Sequence, residues 1–140
     1  MTILILPANM KTATASAQDN WPHDALIGLF TLFLNDRRSE RLAIAGLDER
    51  GCLTAFAEAR GNQTRVNGVI NAVRQALAPS ATASIIMAHS HVIGDAEPSR
   101  ADILATQRIG RLARLAGVRL LDHLIFYDDT CVSMAERGYI

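Results

Sequence analysis

The sequence predicts an α/β fold of the α+β type, with one central β-sheet of mixed direction flanked by three helices. Two observations carry this. Apolar residues recur at helical spacing in three segments, near residues 26–34, 66–77 and 105–116. Between and around them lie apolar runs of strand length at 3–6, 40–47, 52–59, 84–88, 118–127 and 130–134. The resulting order is β, α, β, β, α, β, α, β, β.

Each element has its own signals. Ile3-Leu4-Ile5-Leu6 is a short strand ended by Pro7, and residues 8–20 are an unpatterned Ala/Thr/Ser/Asn connection. Residues 1–20 are thus expected to be an N-terminal strand and flexible connection, and 21–140 a single domain. Asn20 is placed to cap a helix beginning near Trp21-Pro22, with Leu26, Phe30 and Phe33 on its apolar side. Glu40 to Leu47 and Cys52 to Ala59 flank the turn Asp48-Glu49-Arg50-Gly51 and read as a hairpin. Val66, Val69, Ile70, Val73 and Leu77 mark a second helix, stopped by Pro79-Ser80. Ser84 to Ala88 is a strand. The third helix, Ala101 to Ala116, shows a stripe at Ala105, Ile109, Leu112, Ala113 and Ala116, and Gly117 suits its C-terminal cap. Val118 to Tyr127, the turn Asp128-Asp129 and Thr130 to Met134 complete the sheet.

Composition narrows the function classes. The 140 residues are 49% hydrophobic and 20% charged, with zero formal net charge. That balance gives no support for nucleic acid as a partner. Two cysteines, Cys52 and Cys131, make neither a disulfide framework nor a metal knuckle, which fits a reducing, cytoplasmic location. The apolar run at 3–6 is too short for a secretory leader, and no run approaches a membrane span, so no membrane partner is expected. A homo-oligomer is compatible with all of this.

The chemistry concentrates in fourteen residues, from His89 to Asp102. In an extended segment, His89 and His91 project to one face and can reach one ion. Asp102 lies about one turn into the following helix, from where its carboxylate can swing back to the strand end. Two imidazoles and a carboxylate leave one position of a tetrahedral Zn²⁺ open, as in a catalytic site. Each residue also has a plainer reading. Either histidine alone is ordinarily a packed or solvated residue. Ser99-Arg100-Ala101-Asp102 is also a helix capping box. Asp95 and Glu97 are rival ligands in the same loop, more often solvated.

The arrangement resembles the JAMM (MPN⁺) metalloprotease signature: an upstream Glu, His-Ser/Thr-His, seven residues, Ser, two residues, Asp. His89-Ser90-His91, Ser99 and Asp102 match it without insertion. Within that superfamily the chain is most similar to the RadC-like JAB domain. Gly94-Asp95, Pro98-Ser99, the Leu121-Asp122-His123 segment, and Val132-Ser133 with Glu136-Arg137-Gly138 fall in register with it. The likeness spans roughly residues 25–140. It implies a JAB/MPN-like (cytidine deaminase-like) fold, Zn²⁺ held by His89, His91 and Asp102, and a Glu as general base. Glu40, opening the first long apolar strand, fits that role best; Glu58 is the runner-up, and Glu49 lies in a turn. The resemblance also implies Ser99 as an oxyanion donor, a role its cap function could oppose. His123 is expected as a hydrogen-bonded core residue, at most supporting the ligands from behind.

The implied activity is that of a zinc peptidase or isopeptidase acting on an extended peptide tail, often that of a ubiquitin-like modifier in JAMM relatives. The alternatives are a nucleic-acid-associated metal hydrolase, a non-catalytic MPN interaction module, and a non-haem iron site, since two His and one carboxylate also hold Fe(II). Three features depart from the family pattern. Val92-Ile93 replaces a Pro-Ser pair at the substrate mouth. Thr64-Arg65-Val66-Asn67 stands where a His-Pro-Arg-Glu segment usually opens the second helix. Residues 1–20 are too short for the helix–hairpin–helix region that precedes the domain in full RadC-type proteins.

Overall fold

The computed structural model describes residues 21–35, 38–60 and 66–140. Along the chain run α1 (His23–Leu34), β1 (Arg41–Leu47), β2 (Leu53–Arg60), α2 (Val66–Leu77), β3 (Ser84–Ser90), α3 (Arg100–Leu115), β4 (Arg119–Tyr127) and β5 (Thr130–Ser133). Among the described residues the strands form one sheet, ordered β2-β1-β3-β4-β5. β3 and β4 run parallel, joined through α3; the other neighbours are antiparallel. This is the expected mixed sheet with three helices. The strand expected at 3–6 lies outside the described residues.

Helices cover both faces. On one, Leu26, Ile27, Phe30 and Leu34 of α1 pack on Ala43, Ala45, Ile86, Ala88, Leu124 and Phe126. Small residues in the central strands admit the bulk of Phe30, which is fully buried. Burying such a ring stabilises the fold by about 1.5–3 kcal/mol. On the other face, Ala72, Val73 and Ala76 of α2 and Ile109 and Ala113 of α3 pack on Leu42, Ile44, Ile85 and Met87. Gly46 is required for this approach, because a Cβ there would lie 3.0 Å from the Ala76 carbonyl.

Several local expectations shift. Pro22, not Asn20, occupies the N-cap of α1, without a side-chain hydrogen bond. β3 continues two residues past Ala88, because His89 remains paired with both β1 and β4 and Ser90 with β4. The buried face of α3 runs through Thr106, Ile109 and Ala113, whereas Ala105, Leu112 and Ala116 face solvent. Helical period alone cannot choose between two adjacent stripes of similar apolarity. Gly117, at φ +75°, ends α3 as expected. The Gly117 and Val118 N–H groups donate to the Arg114 and Ala113 carbonyls, a Schellman arrangement.

One irregularity bears directly on the site. Between Ile85 and Ile86 the β3–β4 register slips, so Leu120 pairs with Ile85 and Asp122 with Ile86. Leu121 is the extra residue of a β-bulge. Strict alternation would put His123 on a face with Leu121. Instead Leu121 packs on the α1 side and Leu120 on the α2/α3 side. His123, paired with Met87, joins the α3 side. No helix among the described residues is long and apolar enough to cross a membrane.

Candidate metal centre

Two backbone frames set the site. The first is the end of β3. His89 pairs with Leu42 of β1 and Ile125 of β4, and the His91 N–H donates to the Phe126 carbonyl at 2.8 Å. Both imidazoles therefore emerge on the α3 face from a segment held on both sides. The second frame is the start of α3. There the Asp102 N–H donates to Ser99 Oγ at 3.0 Å, and the Ser99 N–H donates to Asp102 Oδ2 at 2.8 Å. The capping box is thus formed, and it points the Asp102 carboxylate back toward β3.

The frames bring His89, His91 and Asp102 together, with one ligand atom of each within 4.8 Å of the others. His89 Nε2 lies 3.4 Å from Asp102 Oδ1, and His91 Nε2 lies 3.1 Å from Asp102 Oδ2. The proton positions suit an ion. His91 Nδ1 is 2.8 Å from the Asp95 carbonyl, which can only accept, so Nδ1 carries a proton; Nε2 is the nitrogen turned to Asp102 Oδ2. His89 Nε2 is buried and has no hydrogen-bond partner. An orphaned buried nitrogen is costly unless something ligates it. Half-burial raises the Asp102 carboxyl, but the His89 imidazole and the two Ser99 hydrogen bonds outweigh this and hold it well below the usual carboxylate range. The group is an anion between two imidazoles.

Behind the ligands, His89 Nδ1 meets His123 Nε2 at 2.6 Å. His123 Nδ1 meets Thr106 Oγ1 at 2.6 Å, and Thr106 Oγ1 donates to the Asp102 carbonyl at 2.6 Å. Burial, with His89 beside it, keeps His123 well below the ordinary imidazole range. It is a hydrogen-bonded core residue, as expected. Thr106 escaped the sequence reading. Its signal was a hydroxyl four residues after Asp102, close to an apolar helix stripe.

The rival acids are engaged elsewhere. Asp95 Oδ1 accepts the Glu97 N–H, and Glu97 forms a two-pronged pair with Arg137 at 2.6 and 2.7 Å. Ala96 is buried against Ile125, Val132 and Met134. These contacts fasten the 91–99 loop over the β4–β5 end of the sheet. Glu40 immediately precedes β1. Extended two residues beyond its last pair, Leu42 with His89, the β1–β3 register would bring Glu40 opposite His91; the Arg41 N–H on Ser90 Oγ (3.0 Å) ties the intervening residue. Its side chain is exposed. Glu58 pairs with Ala43, whose side chain packs on the α1 side, so Glu58 is on the wrong face; it bonds Arg60 instead. Ser99 is exposed, and Ile93 is 87% exposed beside His91, with Val92 half-buried.

Comparison with known proteins agrees with this geometry. The profile of the RadC-like JAB domain matches residues 22–139. A UPF0758 protein of Cellvibrio japonicus is 40% identical over 111 residues, covering 76% of this chain and 48% of its own. One from Marinobacter nauticus is 34% identical over 137 residues, covering 94% and 52%. The chain spans about half the length of these curated relatives. With a profile match running from α1 to beyond β5, and a His-His-Asp group assembled where the signature places it, the chain belongs to the RadC-like JAB domain family.

Proposed function

We propose that the protein is a zinc-dependent hydrolase of the JAMM type, a peptidase or isopeptidase that cleaves an extended peptide tail such as that of a ubiquitin-like modifier. The observation that carries the reading is the convergence of two imidazole Nε2 atoms on one carboxylate, with the His89 nitrogen buried and making no hydrogen bond. His89, His91 and Asp102 would hold the ion, and two nitrogens with one carboxylate suit an open catalytic zinc site. When bound, a divalent ion supplies Lewis acidity, polarising a carbonyl and lowering the pKa of water.

The remaining steps fall to the chain's own residues. Glu40, across from His91, would take the proton of the attacking water and pass it to the leaving amine. The Ser99 hydroxyl accepts from the Asp102 N–H with a lone pair, so its proton stays available for the developing oxyanion. The two roles of Ser99 are therefore compatible. Val92 and the exposed Ile93 would form the mouth and favour an apolar substrate residue beside the scissile bond.

Metal content of the purified protein tests the reading, with His91→Ala and Glu40→Gln as comparisons. Stoichiometric zinc is expected in wild type and Glu40→Gln and not in His91→Ala. Iron in place of zinc would favour the Fe(II) alternative, and failure to take up supplied zinc would sink the assignment. On a panel of peptide and isopeptide substrates, hydrolysis should vanish in both variants. Turnover that survives Glu40→Gln would remove Glu40 as the base.

A further inference from the structure

The hydrogen bonds behind the ligands form a closed circuit. It leaves the His89 ring on β3, crosses His123 on β4 and Thr106 on α3, and returns to the backbone of Asp102. We propose that His123 and Thr106 are positioning residues that hold His89 in the one tautomer able to bind an ion through Nε2. This rests on the metal assignment above.

The direction of every proton follows from what each atom can do. The Asp102 carbonyl can only accept, so the single Thr106 hydroxyl proton lies in that 2.6 Å contact. Thr106 Oγ1 must then accept from His123, and Nδ1 of His123 carries a proton. His123 is buried, and its hydrogen bonds run to an imidazole and a hydroxyl, not to a carboxylate. A buried imidazole without an anion partner is the neutral ring. Its Nε2 is therefore an acceptor, and the 2.6 Å contact requires His89 Nδ1 to donate. With its proton fixed on Nδ1, the nitrogen that the His89 ring can offer an ion is Nε2, the buried atom beside Asp102.

The alternative is the ordinary preference of histidine. An unconstrained neutral side chain favours the proton on Nε2, the wrong nitrogen here. Without the circuit, binding would have to reverse the tautomer and reorient the ring. The bulge at Leu121 is what makes the circuit possible, since strict alternation from Leu120 would turn the residue at 123 to the other face of the sheet. Thr106 bonding its i−4 carbonyl is common in helices by itself. Its second contact, to a buried ring that meets a ligand, is what distinguishes this one.

Long-range ¹H–¹⁵N NMR of imidazole-labelled, metal-free wild type at pH 8 reads the tautomer directly. A protonated Nδ1 on His89 is expected; a bare Nδ1 with a protonated Nε2 overturns the proposal. Zinc affinity, measured by competition with a chromophoric chelator, should fall about 10–100-fold in His123→Phe. His123→Gln, which keeps an acceptor near the Nε2 position, should recover most of it, a rescue that loss of packing would not produce. Thr106→Val keeps the shape of the helix and should weaken binding in the same direction, and it carries the test if His123→Phe does not fold. Wild type that binds no zinc defeats the metal assignment itself. Wild type that binds, with variants within threefold of it, defeats only the circuit.

Discussion

Replacing Ser99 with alanine separates its observed role as the cap of α3 from the oxyanion role proposed for it. The structure sets the stability cost. The Ser99→Ala variant loses the 3.0 Å bond from the Asp102 N–H to Oγ, but the backbone N–H at that position still holds Asp102 Oδ2 at 2.8 Å. Half of the capping box survives, and the freed N–H can be hydrated because this helix start is exposed. The loss should therefore be about 1 kcal/mol, mid-range for a cap. At about 2.1 cal/mol/K of unfolding entropy per residue, a chain of 140 residues should lose roughly 3 °C in Tm. Zinc affinity should stay within a few-fold, since the carboxylate remains anchored. With a substrate in hand, kcat should fall about 10²–10³-fold with KM little changed, the effect of deleting one oxyanion donor. Ser99→Thr should restore both quantities. Differential scanning calorimetry, the chelator competition and steady-state kinetics measure them. An unchanged Tm would refute the cap argument, and a collapse of zinc affinity would show that the hydroxyl, not the backbone, orients Asp102.

Other outcomes follow from the same contacts. Asp122 accepts from the His123 and Ala135 N–H groups and from the Ser133 hydroxyl. Asp122→Ala should cost about 3–5 kcal/mol in urea unfolding by stranding these donors, and Asp122→Asn, which keeps an oxygen for the two amides, about 1–2 kcal/mol; equal losses would contradict the bonding. Cys52 is exposed and Cys131 buried, and burial together with the nearby Asp122 carboxylate pushes the Cys131 thiol from 9.0 to about 12. A thiol reagent at pH 8 should label Cys52 alone until the protein unfolds. Because the fold favours the protonated thiol, its contribution to stability is complete below pH 9.0 and lost as pH rises toward 12. Rapid labelling of both thiols in the native state would refute this burial.

The sequence by itself determined the elements and picked out the His-His-Asp group that could hold a metal. Helical stripes, turn residues and Gly117 located nearly every boundary because those signals are local: each depends on the conformations open to a few neighbouring residues. His89, His91 and Asp102 were legible for the same reason. Two imidazoles on alternate strand positions and an acid one turn into the next helix are a short-range pattern, and the capping box that aims Asp102 lies within four residues. What needed the tertiary structure were relations between distant segments. The pairing of β1 with β2 sets Glu58 against Ala43, behind the sheet from His89, whereas the β1–β3 register, extended past Leu42, would bring Glu40 opposite His91. The bulge at Leu121 reverses the face assignment that alternation predicts around His123. Thr106 acquires its second contact because α3 packs over β4, and Glu97 leaves the ligand contest because Arg137 reaches it from the other end of the domain. Strand register, bulges and side-chain circuits are set by packing among segments far apart in the chain, and no window of neighbouring residues contains that information.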